Sequence, residues 1–216
     1  MRLAALLLVL LPAGQASAQE TNQTKLVIEQ AGREVGREEF TLTPGRGRGA
    51  PGTTLRANAR YPANNPTLRL GATLERTQDF TLAKFQLDVE GPNGSTVILA
   101  AGSGARLIIR TVAKGSEAGR ELPGGPDVVL LDENVFSLYL AIADLATPNG
   151  KALTAVFPRA GRRASFVARR ESGAAGGATR VGLTGDIRGS LSTDAQGRLV
   201  RLELAESATV VSRAQD

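Results

Sequence analysis

Leu130–Leu145, LLDENVFSLYLAIADL, is the stretch whose reading decides the fold. Its apolar residues recur at three- and four-residue spacings, the period of a helix. Asp132 stands where an N-cap belongs, and Glu133 adds negative charge in the first turn. Thr147-Pro148-Asn149-Gly150 ends the helix, since Pro148 cannot continue it. At ~100° per residue, Val135, Tyr139, Ala143 and Ala146 share one side, flanked by Leu138, Ile142 and Leu145 one way and by Phe136 and Leu140 the other. Only Ser137, Ala141 and Asp144 make a polar or small stripe. A helix lying on a flat sheet shows a broader polar face. This one wants apolar neighbours around about three-quarters of its circumference. On this reading Tyr139→Asp unfolds the domain or abolishes ligand uptake, while Asp144→Ala does little.

What surrounds the helix reads as strands. Leu26-Val27-Ile28 leads through Ala31-Gly32 into Glu34–Thr43, a first hairpin. Leu55, Ala57, Ala59 and Tyr61 alternate with Arg56, Asn58 and Arg60. The same period of two runs through Leu68–Glu75 and Ala83–Val89, as expected of half-buried antiparallel strands. Pro92-Asn93-Gly94 and Gly102-Ser103-Gly104 make turns, and Asp194-Ala195-Gln196-Gly197 makes another near the end. The expected fold is mainly β (α+β): a strongly curved antiparallel sheet, or half-barrel, of about ten strands wrapped around one central helix. A flat sandwich does not serve, because its two sheets already cover each other. Residues 44–52 and 172–178 are glycine-rich and read as permissive loops or lids. Lys114–Pro126 is a third Gly/Pro-rich stretch, leading into the helix.

Residues 1–18 read as a signal peptide. Met1-Arg2 is positive, Leu3–Leu11 is an apolar run too short to span a bilayer, and Ala16-Ser17-Ala18 supplies small residues for cleavage. The mature chain is then an exported one, periplasmic or secreted, with residues 19–23 a flexible N-terminus and residues 24–213 one half-barrel domain. No later apolar run is long enough for a transmembrane helix. The chain has no Cys and no His, which removes disulfides, thiol chemistry, the Ser-His-Asp arrangement and imidazole or thiolate metal sites. No cofactor or metal site is expected. The net charge of +5 is carried by 22 Arg against 4 Lys, spread over many strands. It reads either as attraction to anionic envelope components or as a solvated Arg-rich sheet face. With 4% aromatic residues the chain is not expected to bind nucleic acid.

Three segments together resemble a known architecture: GREVGREEFTLT (residues 32–43), LLDENVFSLYL (130–140) and DAQGRLVRLEL (194–204). In their order, with strands between, the chain is similar to exported bacterial families of unknown function that share the lipoprotein-carrier half-barrel fold of LolA and LolB. The resemblance implies a curved sheet holding a helix, with an acyl chain or other apolar ligand bound between them. The carriers place several helices in the concavity; one helix leaves either an open cavity or a core filled by side chains.

The candidate ligand-binding residues follow from that geometry. Tyr139, Phe136 and Leu140 line the space from the helix, and Phe85, Phe157 and Phe166 from the strands; alternatively all six are core. Tyr139 carries a hydroxyl that wants a partner when buried. Arg residues at the rim would meet an anionic headgroup. No catalytic residue is assigned: Asp127 with Asp132 and Glu133 with Asp144 are the nearest carboxylate pairs, and nothing fixes their separation. The reading is a non-enzymatic exported binding protein for an acyl chain or similar apolar molecule. The alternative is a structural or interaction domain of the envelope, with a filled core and a protein or glycan partner.

Overall fold

In a computed structural model the described residues are 23–44, 52–172 and 177–214. The signal peptide expected at 1–18, residues 19–22 and the centres of both glycine-rich loops lie outside them. Fifteen strands follow in chain order: β1 (Gln23–Gln30), β2 (Arg33–Pro44), β3 (Thr53–Tyr61), β4 (Leu68–Arg76), β5 (Leu82–Gly91), β6 (Gly94–Ser103), β7 (Arg106–Ala113), β8 (Ser116–Pro123), β9 (Val128–Leu130), β10 (Lys151–Phe157), β11 (Arg162–Glu171), β12 (Thr179–Gly185), β13 (Gly189–Thr193), β14 (Leu199–Leu204) and β15 (Thr209–Arg213). Between β9 and β10 lie a 3-10 turn, Phe136–Tyr139, and one short helix, α1, Leu140–Leu145.

All fifteen strands join one sheet in the order β8-β7-β6-β5-β4-β3-β2-β1-β15-β14-β13-β12-β11-β10-β9. Every ladder is antiparallel except β9 on β10. Strands consecutive in sequence are paired throughout, save β8 and β9, which stand at opposite edges. The order is that of a ring of strands cut open at one seam. Gly124-Gly125-Pro126 lies at the cut, where Pro126 has no N–H to offer a ladder.

Local sequence explains the hairpins. Ala31 (φ 49°) and Gly32 (φ 75°) give β1–β2 two successive residues of positive φ, which a two-residue hairpin turn requires. In β3 and β4 the inward set is Leu55, Ala57 and Ala59, then Leu70, Ala72 and Leu74, all buried, with Arg56, Arg60 and Arg69 turned to water. The buried faces of both halves of the sheet meet in one core with residues 129–146. The 3-10 turn and the first part of α1, Phe136–Ala143, are buried all round, Ser137 included.

Two expectations are corrected here. The fold is nearly all β, a fifteen-strand open sheet, not about ten strands wrapped around a central helix. And Leu130–Leu145 is not one helix. Val128–Leu130 form β9, Leu131 N–H still bonds Val156 O at 3.0 Å, and helical winding starts at Phe136. An apolar run VVLL is ambiguous between periods, and here the free edge of β10 takes it. Asp132 is therefore not the N-cap. Its Oδ1 accepts Asn134 N–H at 2.8 Å, a turn that halts β9 before the winding begins. Part of the strand undercount comes from β8, SEAGRELP. It is exposed almost throughout, so no alternation marks it.

Candidate functional site

The cleft with the most developed lining sits at one rim of the sheet, beside the 3-10 turn, with a volume of about 590 Å³. That is within the range of small-molecule sites. Its floor is apolar: Ile28 of β1, Phe136 and Tyr139 of the 3-10 turn, Phe157 of β10, and Ile187 and Leu204. All six are buried. Its rim is charged. Among the described residues Glu133, Asp186 and Glu206 line it together with one guanidinium, that of Arg162. That arginine is engaged twice, by Glu133 Oε1 at 3.0 Å and by the Phe157 ring, whose centroid lies 3.7 Å from its guanidinium carbon. The expected arginine-rich rim is not what this cleft has.

Tyr139 is 3% exposed. No hydrogen bond from a described residue reaches its hydroxyl, and burial pushes the phenol upward from its ordinary pKa. The hydroxyl is not sealed off, because the tyrosine forms part of the cleft wall. A phenol on a buried side chain normally finds a partner, and here the cleft is the side from which one can come.

The turn that presents Tyr139 is fixed from across the core. Glu38 of β2 shares the inward side with Phe40 and is 1% exposed. Phe136 N–H donates to Glu38 Oε2 at 2.7 Å and Ser137 N–H to Oε1 at 3.0 Å. These are the free N–H groups that open a helical turn, and no side chain next to them in sequence caps them. Burial raises the Glu38 carboxyl to about pKa 7, against the lowering effect of these donors and of nearby Ser137, and the charge of Asp132 raises it further. Ser137 Oγ favours the carboxylate without making a hydrogen bond of ordinary geometry. Glu38 is not part of the cleft wall, and both its oxygens are occupied, so its role is to hold the turn.

The preceding loop is fixed as firmly. Asp132 is buried and takes both Arg159 Nε and Nη2 at 2.8 Å. Asn134 receives Arg159 Nη2 on its side chain at 2.5 Å, and its backbone oxygen accepts the Tyr61 hydroxyl at 2.8 Å. Tyr61 in turn lies over Gly36, where a Cβ would stand 2.2 Å from its ring. Only glycine at position 36 admits that ring.

Of the six residues expected to line a ligand space, the cleft brings together Phe136, Tyr139 and Phe157. Leu140, Phe85 and Phe166 are buried elsewhere in the core and form none of its wall. The carboxylates considered for acid–base work each hold a cation instead: Asp127 pairs with Lys151, Asp132 with Arg159, Glu133 with Arg162 and Asp144 with Arg76. Among the described residues no group of three acidic side chains is placed to hold a metal ion. No described helix is long and apolar enough to cross a membrane.

In fold, the chain is similar to a DUF1089 family protein from Pseudomonas aeruginosa. That crystal structure matches with a TM-score of 0.52 at 15% identity, over 77% of this chain and 88% of the other. The likeness is one of fold. No protein-family model matches the sequence, and no curated protein does.

Sequence reasoning passed over Glu38, Tyr61, Asn134, Arg162, Asp186 and Glu206. One of them left a signal. Gly36, Glu38 and Phe40 share one parity in β2, so the alternation sets a carboxylate on the same side as Phe40, a signal that was not taken up. The others sit at strand ends and turns, where side-chain direction has no period.

Proposed function

We propose that this is an exported, non-enzymatic binding protein, periplasmic or secreted, that holds an acyl chain or similar apolar part of a ligand in the cleft beside Tyr139. The observation that carries the reading is Tyr139, a buried side chain on the wall of an apolar-floored cleft of about 590 Å³, whose hydroxyl no described residue hydrogen-bonds. A ligand oxygen or nitrogen would complete its hydrogen bonding, and the apolar floor would take the chain. The ligand site is then at the rim of the sheet and not along the length of α1.

The test is uptake of a fluorescent acyl probe with an uncharged head by the purified protein, with native mass spectrometry of material from its own envelope. Val35→Trp, on the cleft wall, should fill the space and abolish uptake while leaving the melting temperature close to that of the parent. A clean apo mass together with no uptake by the parent would reject the proposal.

A second reading, an envelope interaction domain, draws on a different surface. Ile108 is 41% exposed and Val112 37%, both on the outer face of β7 beside the free edge strand β8. Under that reading Ile108→Lys would abolish capture of an envelope partner and leave cleft binding intact.

A further inference from the structure

The charge of the rim specifies the ligand further. Three carboxylates stand on the cleft wall, and they are not equivalent. Glu133 is bound to Arg162. Glu206 is bound to Arg188 at 2.7 Å, and hydrogen bonds from Arg188 outweigh its partial burial and keep its pKa below the ordinary value. Asp186 differs from both. Its Oδ2 accepts Ser165 N–H at 2.8 Å, which fixes the side chain, but it is in no ion pair among the described residues. It is an exposed anion, held in place, at the edge of an apolar space.

The walls also show how a cation is accommodated. Arg162 lies on the face of Phe157 at 3.7 Å, with Glu133 as counter-ion. The same elements recur around the open part of the cleft: the rings of Phe136 and Tyr139, 6.1 Å apart and tilted by 31°, and the Tyr139 hydroxyl, free to accept. Aromatic faces attract cations most where water is excluded. An anionic headgroup would meet three carboxylates and compete with Glu133 for the one guanidinium.

Resting on the binding reading above, we infer that the ligand is a cationic amphiphile. Its ammonium group sits between Asp186 and the aromatic wall, donates to the Tyr139 hydroxyl, and its chain lies on the apolar floor.

Calorimetric titration of the full-length mature protein with three probes of equal chain length tests this: dodecylamine, dodecanoate and dodecyl maltoside, each below its micelle concentration. Dodecylamine is expected to bind at least about tenfold tighter than the other two. Asp186→Asn keeps an oxygen for Ser165 N–H and should remove most of that preference while leaving dodecyl maltoside binding unchanged. Dodecanoate or dodecyl maltoside binding as tightly as dodecylamine overturns the charge assignment but upholds the cleft. So does a preference for dodecylamine that survives in Asp186→Asn. If none of the three binds, the binding reading itself fails and this inference with it.

Discussion

Glu38 is buried, and burial outweighs the two backbone N–H donors that favour its charged form, so ionising this carboxyl is harder in the folded chain than in the unfolded one. Its pKa moves from an ordinary 4.5 to about 7. The sign follows. Below the unfolded value both states hold the proton and the group's contribution to stability is complete. As pH rises above it the unfolded chain ionises first, and stability falls until the folded carboxyl ionises near 7. Wild-type protein should therefore lose roughly 2–3 kcal/mol between about pH 5 and about pH 8 relative to Glu38→Gln, read from urea unfolding of both proteins. A parallel pH dependence of the two would refute the assignment. Asp144 reverses an expectation drawn from the helical wheel. It is 36% exposed, as a stripe residue should be, yet it is the ion-pair partner of Arg76, whose side chain is 6% exposed. One Arg76 nitrogen, Nη1, already has no hydrogen-bond partner among the described residues. Asp144→Ala is expected to cost about 1–3 kcal/mol, less than a fully enclosed pair because water reaches the carboxylate. Reversible unfolding would measure it, and Arg76→Met in the same background should recover part of the loss. The sequence displayed Asp144 on a polar stripe. It could not display an arginine 68 residues away turned inward at the end of β4.

At the scale of elements, the 3-10 turn depends on distant strands for its first N–H groups, and Gly36 sits where two of those supports meet. Gly36→Ala forces the Tyr61 ring away and with it the bond to Asn134 O. The expected loss is about 1–3 kcal/mol, typical of overpacking. Its spectroscopic sign is a change in tyrosine environment seen in the near-ultraviolet, absent in Gly119→Ala, where a Cβ meets nothing within 4 Å. The edge strand β8 makes a different kind of prediction. Glu117 and Glu121 face Arg110 and Arg106 of β7 across its outer surface, pairs too exposed to stabilise much. Their service is to keep a free edge charged. Replacing both with Val should leave the monomer's melting temperature within a few degrees and produce concentration-dependent association in light scattering. Strands with one wet face were legible because parity separates their residues: the inward sets of β3 and β4 are as read. β8 is wet on both faces and β9 is dry on both, so neither carries the period of two.

For the molecule as a whole, one buried face must be shared by fifteen strands, and the sheet must bend until β9 comes against β5. The curvature left no mark in any single strand; it follows from the requirement that all inward residues enter one core. Hydrogen exchange should grade accordingly. Amides of the exposed edge strand β8 exchange first, and those of the strands with a partner on both sides exchange later. Uniform protection across the sheet would contradict this order. The cleft was legible only through Phe136, Tyr139 and Phe157; the rest of its lining comes from turns and strand ends far apart in the chain that only the folded sheet brings together. The pairing of β1 with β15, Leu26 opposite Arg213, has a consequence for how the chain is made. On the ribosome, β1 through β8 can zip hairpin by hairpin as they emerge, and β10 through β14 can do the same. But β1 is synthesised first of the fifteen and its second neighbour last. Until β15 arrives, two half-sheets each present an uncovered ladder edge and an apolar face, one at β1 and the other at β14. Translation of some 180 residues separates the two sides of that joint, and a nascent chain so exposed is one for a chaperone to hold.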